Sequence, residues 1–210
     1  MYFVLFFPGV SAFPMIGASM EVITFSLVRE LGRTITYTIP SFALLWYIIS
    51  DKKGFEALVE QKPVLRDFIP FAAGLPGLAI IGIGISFLVT LLPAGGMLTP
   101  PPKIDSPADM AGYTVMVITC LGTGYLEESF FRFYLLSKFE DHFPHPLFGI
   151  ILSSIMFSAC HMYEGPWGII NSTLAGIFLS ILFIKYRSLN GIAWAHAAYN
   201  ILVYVSGNFI

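Results

Sequence analysis

The chain has 210 residues, of which 56% are hydrophobic and only 11% are charged, and its formal net charge is −2. Soluble domains carry roughly 25% charged residues, so this composition excludes an ordinary soluble domain and is typical of a membrane protein. The weakly negative net charge also argues against nucleic acid as a partner, because proteins that bind nucleic acid carry a basic surface.

Apolar stretches of about 20 residues, the length that a membrane-spanning helix needs, recur along the chain. The predicted spans cover roughly residues 2–26, 34–50, 68–92, 110–137, 147–162, 167–184 and 191–207. The third span contains Gly74, Gly77, Gly82 and Gly84, small residues that allow close helix packing in lipid. We therefore predict an all-α polytopic membrane helix bundle with about seven transmembrane helices, which forms a single integral membrane domain over residues 1–210.

Basic residues predict how these spans are oriented. If the spans alternate in direction, one side of the membrane receives Lys52, Lys53, Lys62, Arg66, Lys138, Lys185 and Arg187, and the other receives Arg29, Arg33 and Lys103. Cytoplasmic loops of membrane proteins carry an excess of lysine and arginine. We therefore expect the first group and the N-terminus to lie in the cytoplasm.

The fourth predicted span carries three charged residues within the stretch EESFFR. Glu128 and Arg132 are four positions apart on one helical face, so they are expected to form an ion pair. Glu127 lies about 100° further round the helix and has no partner within it. Such a carboxylate suits a general base, although a buried ion pair that joins two helices is the structural alternative.

Two later spans carry further polar pairs at the same spacing, Phe157 with His161 and His196 with Asn200. Polar side chains in a membrane helix must point into the bundle, because lipid offers them no partners. Each pair alone is compatible with a packing role between helices. Together with Glu127 they supply a carboxylate, two imidazoles and an amide, which are the parts of a hydrolytic centre.

Other catalytic arrangements are absent from the sequence. It contains neither a GxSxG motif nor an HExxH motif, and no predicted span contains aspartate. Ser129 and the two cysteines, Cys120 and Cys160, are predicted to be packing residues, and Cys160 points about 100° away from the adjacent His161 on a helix. Water therefore remains as the nucleophile, activated by Glu127 either directly or through a metal ion.

The three motifs resemble those of the intramembrane protease family called Abi or CPBP, which includes the type II CAAX prenyl endopeptidase and bacterial bacteriocin-processing and immunity proteins. The family pattern is EExxxR, then FxxxH, then HxxxN, and it occurs here in order over a core of approximately residues 110–205. The resemblance implies that Glu127 and His161 activate the attacking water. It implies that His196 and Asn200 stabilise the oxyanion, while Glu128 and Arg132 hold the site in shape.

The resemblance also implies a substrate and a location. The partners would be the lipid bilayer and a membrane-associated peptide, either prenylated as in a CAAX tail or a leader peptide. The short chain predicts a prokaryotic relative in the inner cell membrane, with the active site nearer the cytoplasmic face. Many family members have glycine directly after the arginine, where this chain has Phe133, and this bulky side chain is expected to narrow the substrate path.

The sequence leaves the cofactor and two other functions open. We favour a glutamate protease without a cofactor, but Glu127, His161 and His196 could also supply three zinc ligands, with water as the fourth. The main alternative function is a non-enzymatic membrane immunity or scaffold protein that uses the same buried polar network. An ion or proton carrier also fits intramembrane glutamate and histidine. His142 and His145 lie in a loop and are expected to be solvated.

Overall fold

A computed structural model describes residue 6 and residues 24–49, 61–91 and 105–206 of the chain. Every regular element within these ranges is helical, which confirms the all-α prediction. The predicted span 2–26 falls almost entirely outside the described residues, as do Lys52, Lys53 and Lys103.

The helices follow one another along the chain with two π-helical interruptions. The elements in order are α1 (Leu27–Arg33), a first π segment (Thr34–Thr38), α2 (Ile39–Ile49), a 3-10 turn (Leu65–Asp67), α3 (Phe68–Thr90), α4 (Met110–Glu128), a second π segment (Ser129–Leu136), α5 (Ser137–His142), α6 (Pro146–Ala159), a 3-10 turn (Met162–Glu164), α7 (Gly165–Tyr186) and α8 (Leu189–Ser206). π-helical turns inside α-helices are frequent at functional sites, and here one follows the glutamate pair directly.

Local sequence signals explain where several helices begin. The Asp109 carboxylate accepts a hydrogen bond from the Gly112 amide at 2.7 Å and caps α4. Ser26 caps α1 in the same way through the Arg29 amide, at 3.4 Å. In α6 the first residue is Pro146, whose missing N–H costs nothing at a position where no helical acceptor exists.

In the part of the chain that the structure describes, two helical stretches are long and apolar enough to cross a membrane, Leu65–Thr90 and Met162–Tyr186. The other predicted spans that the structure describes are helical too, but the count of seven spans is not confirmed. The α6 helix, for example, has only 14 residues. Lys62, Arg66 and Arg187 line one small cavity at the start of the first stretch and the end of the second. The described ends of these two basic loops therefore lie close together, and their orientation in a membrane stays a prediction.

The helices that carry the polar motifs pack against one another. The α8 helix contacts both α4 and α3, and α7 contacts both α6 and α3. Close approach depends on glycine: a Cβ atom on Gly74 would lie 2.7 Å from Ala195 Cβ, and one on Gly77 would meet the Phe178 ring. The predicted role of glycine in helix packing is thus confirmed at these two positions. At Gly84 it is not confirmed, because none of the described residues lies within 4 Å of an added Cβ.

Two apolar clusters enclose the polar motifs. One includes Leu136, Leu179 and Ile192, and the other includes Leu126, Phe131 and Phe157. Phe133 packs against both clusters and is not among the residues that line the cavity described below. The Phe133 ring is therefore used for packing between the two clusters.

Candidate active site

The two adjacent glutamates at the end of α4 have different surroundings. Glu128 is fully buried, and its Oε1 atom lies 3.0 Å from Nη1 of Arg132, which is also fully buried. The ion pair predicted from the spacing of these residues is confirmed. The side chain of Glu127 is 14% exposed and faces a cavity, and within the described residues its Oε2 atom has no hydrogen-bond partner. Arg132 thus compensates one carboxylate and leaves the other available.

His196 joins the two glutamates. Its Nδ1 atom lies 2.8 Å from Glu128 Oε1, and its Nε2 atom lies 3.7 Å from Glu127 Oε2. Because the Arg132 charge favours an ionised Glu128, which can only accept, we assign the proton on Nδ1 as the donor in this bond. Glu128 therefore does more than pair with Arg132, since it also fixes the orientation of an imidazole whose other nitrogen faces Glu127.

His161 lies in a turn and not on a helix, which corrects the sequence prediction. The α6 helix ends at Ala159 because Gly165 and Pro166 already begin the next helix, and the chain must reverse between them. His161 still lies beside Phe157, with ring centroids 4.6 Å apart. Its Nδ1 atom lies 3.0 Å from the Phe157 carbonyl oxygen, which can only accept. Nδ1 therefore donates, and Nε2 is left without a proton in the neutral ring.

Phe157 is the apolar centre of the site. The Arg132 guanidinium lies over its ring, with 4.4 Å between Cζ and the ring centroid. The His196 ring meets it edge-on at 5.9 Å, and the His161 ring contacts it as well. The FxxxH motif thus supplies a ring that holds the arginine and both imidazoles, a role that spacing alone did not reveal.

One cavity of about 160 Å³ brings the predicted catalytic side chains together. Glu127, His161, His196 and Asn200 all line it. They come from α4, from the turn after α6 and from α8, so three separate stretches of the chain converge as predicted. The geometry places a carboxylate, two imidazoles and an amide around a space that holds a few water molecules.

The cavity is also lined by polar residues that the sequence analysis did not identify. They include Arg33, Tyr163, Glu164 and Asn171. Glu164 and Asn171 stand in apolar surroundings, and this is the same signal that revealed the three motifs. Arg33 gave no such signal, because it lies on α1, far from the motifs along the chain. Only the tertiary packing of α1 against α4 brings Arg33 to the site.

The residues do not fit a bound metal ion as they are placed. Within the described ranges, no group of three or more His, Cys, Asp and Glu side chains is arranged to hold one. Glu127, His161 and His196 line the same cavity without forming such a group.

A comparison with known families matches residues 110–202 to the family described as type II CAAX prenyl endopeptidase Rce1-like. The matched stretch contains all seven residues of the three motifs, from Glu127 to Asn200. It does not include α1, which carries Arg33. No curated protein and no solved structure matches the chain.

Proposed function

We infer that this chain, whose residues 110–202 belong to the Rce1-like family of type II CAAX prenyl endopeptidases, is an intramembrane protease that cleaves prenylated peptides. The family and the apolar helices point to a membrane protein. One observation carries the proposal beyond the family. The Glu127 carboxylate, which Arg132 does not neutralise, faces His196 Nε2 at 3.7 Å in a cavity that His161 and Asn200 also line.

The proposed reaction needs only a water molecule in this cavity. Glu127 and His161 take a proton from the water as its oxygen attacks the carbonyl carbon of the scissile peptide bond. The carbonyl oxygen becomes an oxyanion, which accepts hydrogen bonds from Asn200 and from a protonated His196 Nε2. The carbon–nitrogen bond then breaks, and the proton passes from the glutamate–histidine pair to the leaving amine. The products are a carboxylic acid and an amine.

Glu127 and Glu128 are proposed to have different roles because their contacts differ. Glu128 interacts with Arg132 and with His196, so its charge is compensated before any substrate binds. These two contacts hold the Glu128 carboxylate in place and occupy its Oε1 atom. Within the described residues, Glu127 Oε2 has no hydrogen-bond partner and lies 3.7 Å from His196 Nε2, so Glu127 is the general base that we propose.

His161 offers the sharpest test, because the chain contains a matched control. We expect His161→Ala to lower kcat/KM for a quenched-fluorescent farnesylated peptide by about 10²- to 10⁴-fold, the usual contribution of general acid–base catalysis. The wild type and the variants would be assayed in proteoliposomes, with products identified by mass spectrometry. In His142, Nδ1 also contacts the carbonyl oxygen four residues earlier, at 2.7 Å, but this residue is exposed and outside the cavity. His142→Ala should retain wild-type activity, and full activity in folded His161→Ala would refute the proposal.

A metal-free mechanism makes a separate prediction. Incubation with 1,10-phenanthroline or EDTA, followed by desalting, should leave the cleavage rate unchanged, because Glu127 and His161 activate water without a Lewis acid. The assay should include a zinc protease as a positive control for chelation. Loss of activity that added zinc restores would show instead that a metal ion completes the site.

A non-enzymatic immunity or scaffold function is the second candidate. The fully buried pair of Glu128 and Arg132, which also contacts His196 and the Gly176 carbonyl oxygen, favours it, because such a network joins several helices. Under this alternative, Glu127 would be needed for stability and not for turnover. We also propose that the protein lies in a prokaryotic inner membrane, with the site nearer the cytoplasmic face. Its substrate would be a CAAX-type peptide and not a leader peptide.

A further inference from the structure

Arg33 is the only lysine or arginine among the described residues that lines the candidate active-site cavity. It lies at the end of α1, and 43% of its side chain is exposed. Glu127, Tyr163 and Tyr204 line the same cavity. A positive charge therefore lies at the space that a substrate would occupy. The helix that carries it, α1, is outside the stretch that matches the family.

The charge on Arg33 is only partly compensated by its neighbours. Its Nη2 atom lies 3.1 Å from Oε2 of the buried Glu30, and Arg29 Nε lies 3.6 Å from Oε1 of the same carboxylate. Two guanidinium groups thus share one carboxylate, which leaves one net positive charge. A guanidinium has five N–H donors, and the contact with Glu30 uses one of its nitrogens. Arg33 therefore keeps donors for a second anion.

We propose that Arg33 binds a carboxylate of the peptide in this cavity and so selects substrates that carry a negative charge near the scissile bond. The proposal rests on the peptidase function inferred above. A planar guanidinium matches a carboxylate with two parallel hydrogen bonds, which gives both affinity and orientation. A peptide offers a carboxylate from two sources, its free C-terminus or an acidic side chain, and both present the same group to Arg33.

A three-peptide assay tests the proposal. The peptides share one farnesylated sequence up to the last residue. Two end in the same uncharged residue, one with a free C-terminal carboxylate and one with a C-terminal amide, and the third ends in aspartate with a C-terminal amide. The wild type should cleave at least one carboxylate peptide faster than the neutral amide. Arg33→Gln should lower kcat/KM for that peptide by about 10- to 100-fold, the effect of one lost charge-assisted interaction, and change the neutral amide by less than about twofold.

Arg29 provides the matched control. It lies on the same helix, shares Glu30 as a partner, is half-exposed and does not line the cavity. Arg29→Gln should leave the ratio of rates for the carboxylate and neutral peptides unchanged. Arg33→Lys should restore part of that ratio, because lysine retains the charge but not the forked geometry. Thermal unfolding in detergent identifies any variant that fails to fold.

The pattern of results separates this inference from the proposed function. If the wild type cleaves all three peptides at equal rates, or if Arg33→Gln slows all three equally, then Arg33 does not recognise a carboxylate, while the peptidase function stands. If the wild type cleaves none of the peptides, the proposed function fails and this inference fails with it. The identity of the preferred carboxylate peptide shows whether the C-terminus or a side chain is the source.

Discussion

Glu127→Gln is expected to lower kcat/KM for a farnesylated peptide by about 10²- to 10⁴-fold and to change the free energy of unfolding by less than about 1 kcal/mol. Glutamine keeps the shape of the side chain but cannot take a proton from water. Stability should hardly change, because within the described residues Glu127 Oε2 has no hydrogen-bond partner to lose. Cleavage in proteoliposomes and unfolding in detergent measure the two effects on the same preparations.

Glu128→Gln is the informative companion variant, because it changes the adjacent residue in the same way. It removes a charge that contacts Arg132 at 3.0 Å and His196 at 2.8 Å, so the protein should lose stability as well as activity. If Glu127→Gln destabilised the protein as much as Glu128→Gln, the scaffold alternative would gain support. Full activity in a folded Glu127→Gln protein would contradict the proposed role of Glu127 as general base.

The central part of the site could be predicted because the membrane restricts where polar groups can lie. A charged or polar side chain in an apolar helix has to turn inward, so three polar motifs at helical spacing were expected to converge. Glu127, His161, His196 and Asn200 do line one cavity. The ion pair of Glu128 with Arg132 was predictable for a simpler reason, since both residues lie on adjacent turns of one continuous helix.

Other features depend on how the helices pack, and sequence spacing does not contain that information. The bond between His196 and Glu128 joins α8 to α4, whose close approach is possible because Gly124 lies against Ala193 and Ala197. The place of His161 in a turn depends on where α6 must end. The apolar stretches located the described helices, but they did not show which of them are long enough to span a membrane.

Arg132→Leu is expected to have the largest effect on stability, a loss of about 3–5 kcal/mol in the free energy of unfolding. The guanidinium is fully buried, pairs with Glu128 at 3.0 Å and lies over the Phe157 ring. Leucine would leave the Glu128 carboxylate fully buried, with only His196 as a hydrogen-bond partner. Thermal or denaturant-induced unfolding in detergent, compared with the wild type, measures the loss.

An exposed ion pair in the same protein shows why burial decides this effect. Arg187 forms two hydrogen bonds of 2.7 Å to Glu140, shorter than the bond between Arg132 and Glu128, but its side chain is 53% exposed. Arg187→Leu should therefore cost less than Arg132→Leu, about 1 kcal/mol, because the Glu140 side chain left behind is 20% exposed and water can reach it, whereas Glu128 is fully buried. If uncompensated charge is the cause at Arg132, the double variant Arg132→Leu with Glu128→Gln should be more stable than Arg132→Leu alone. Equal losses in Arg132→Leu and Arg187→Leu would contradict this account of the buried pair.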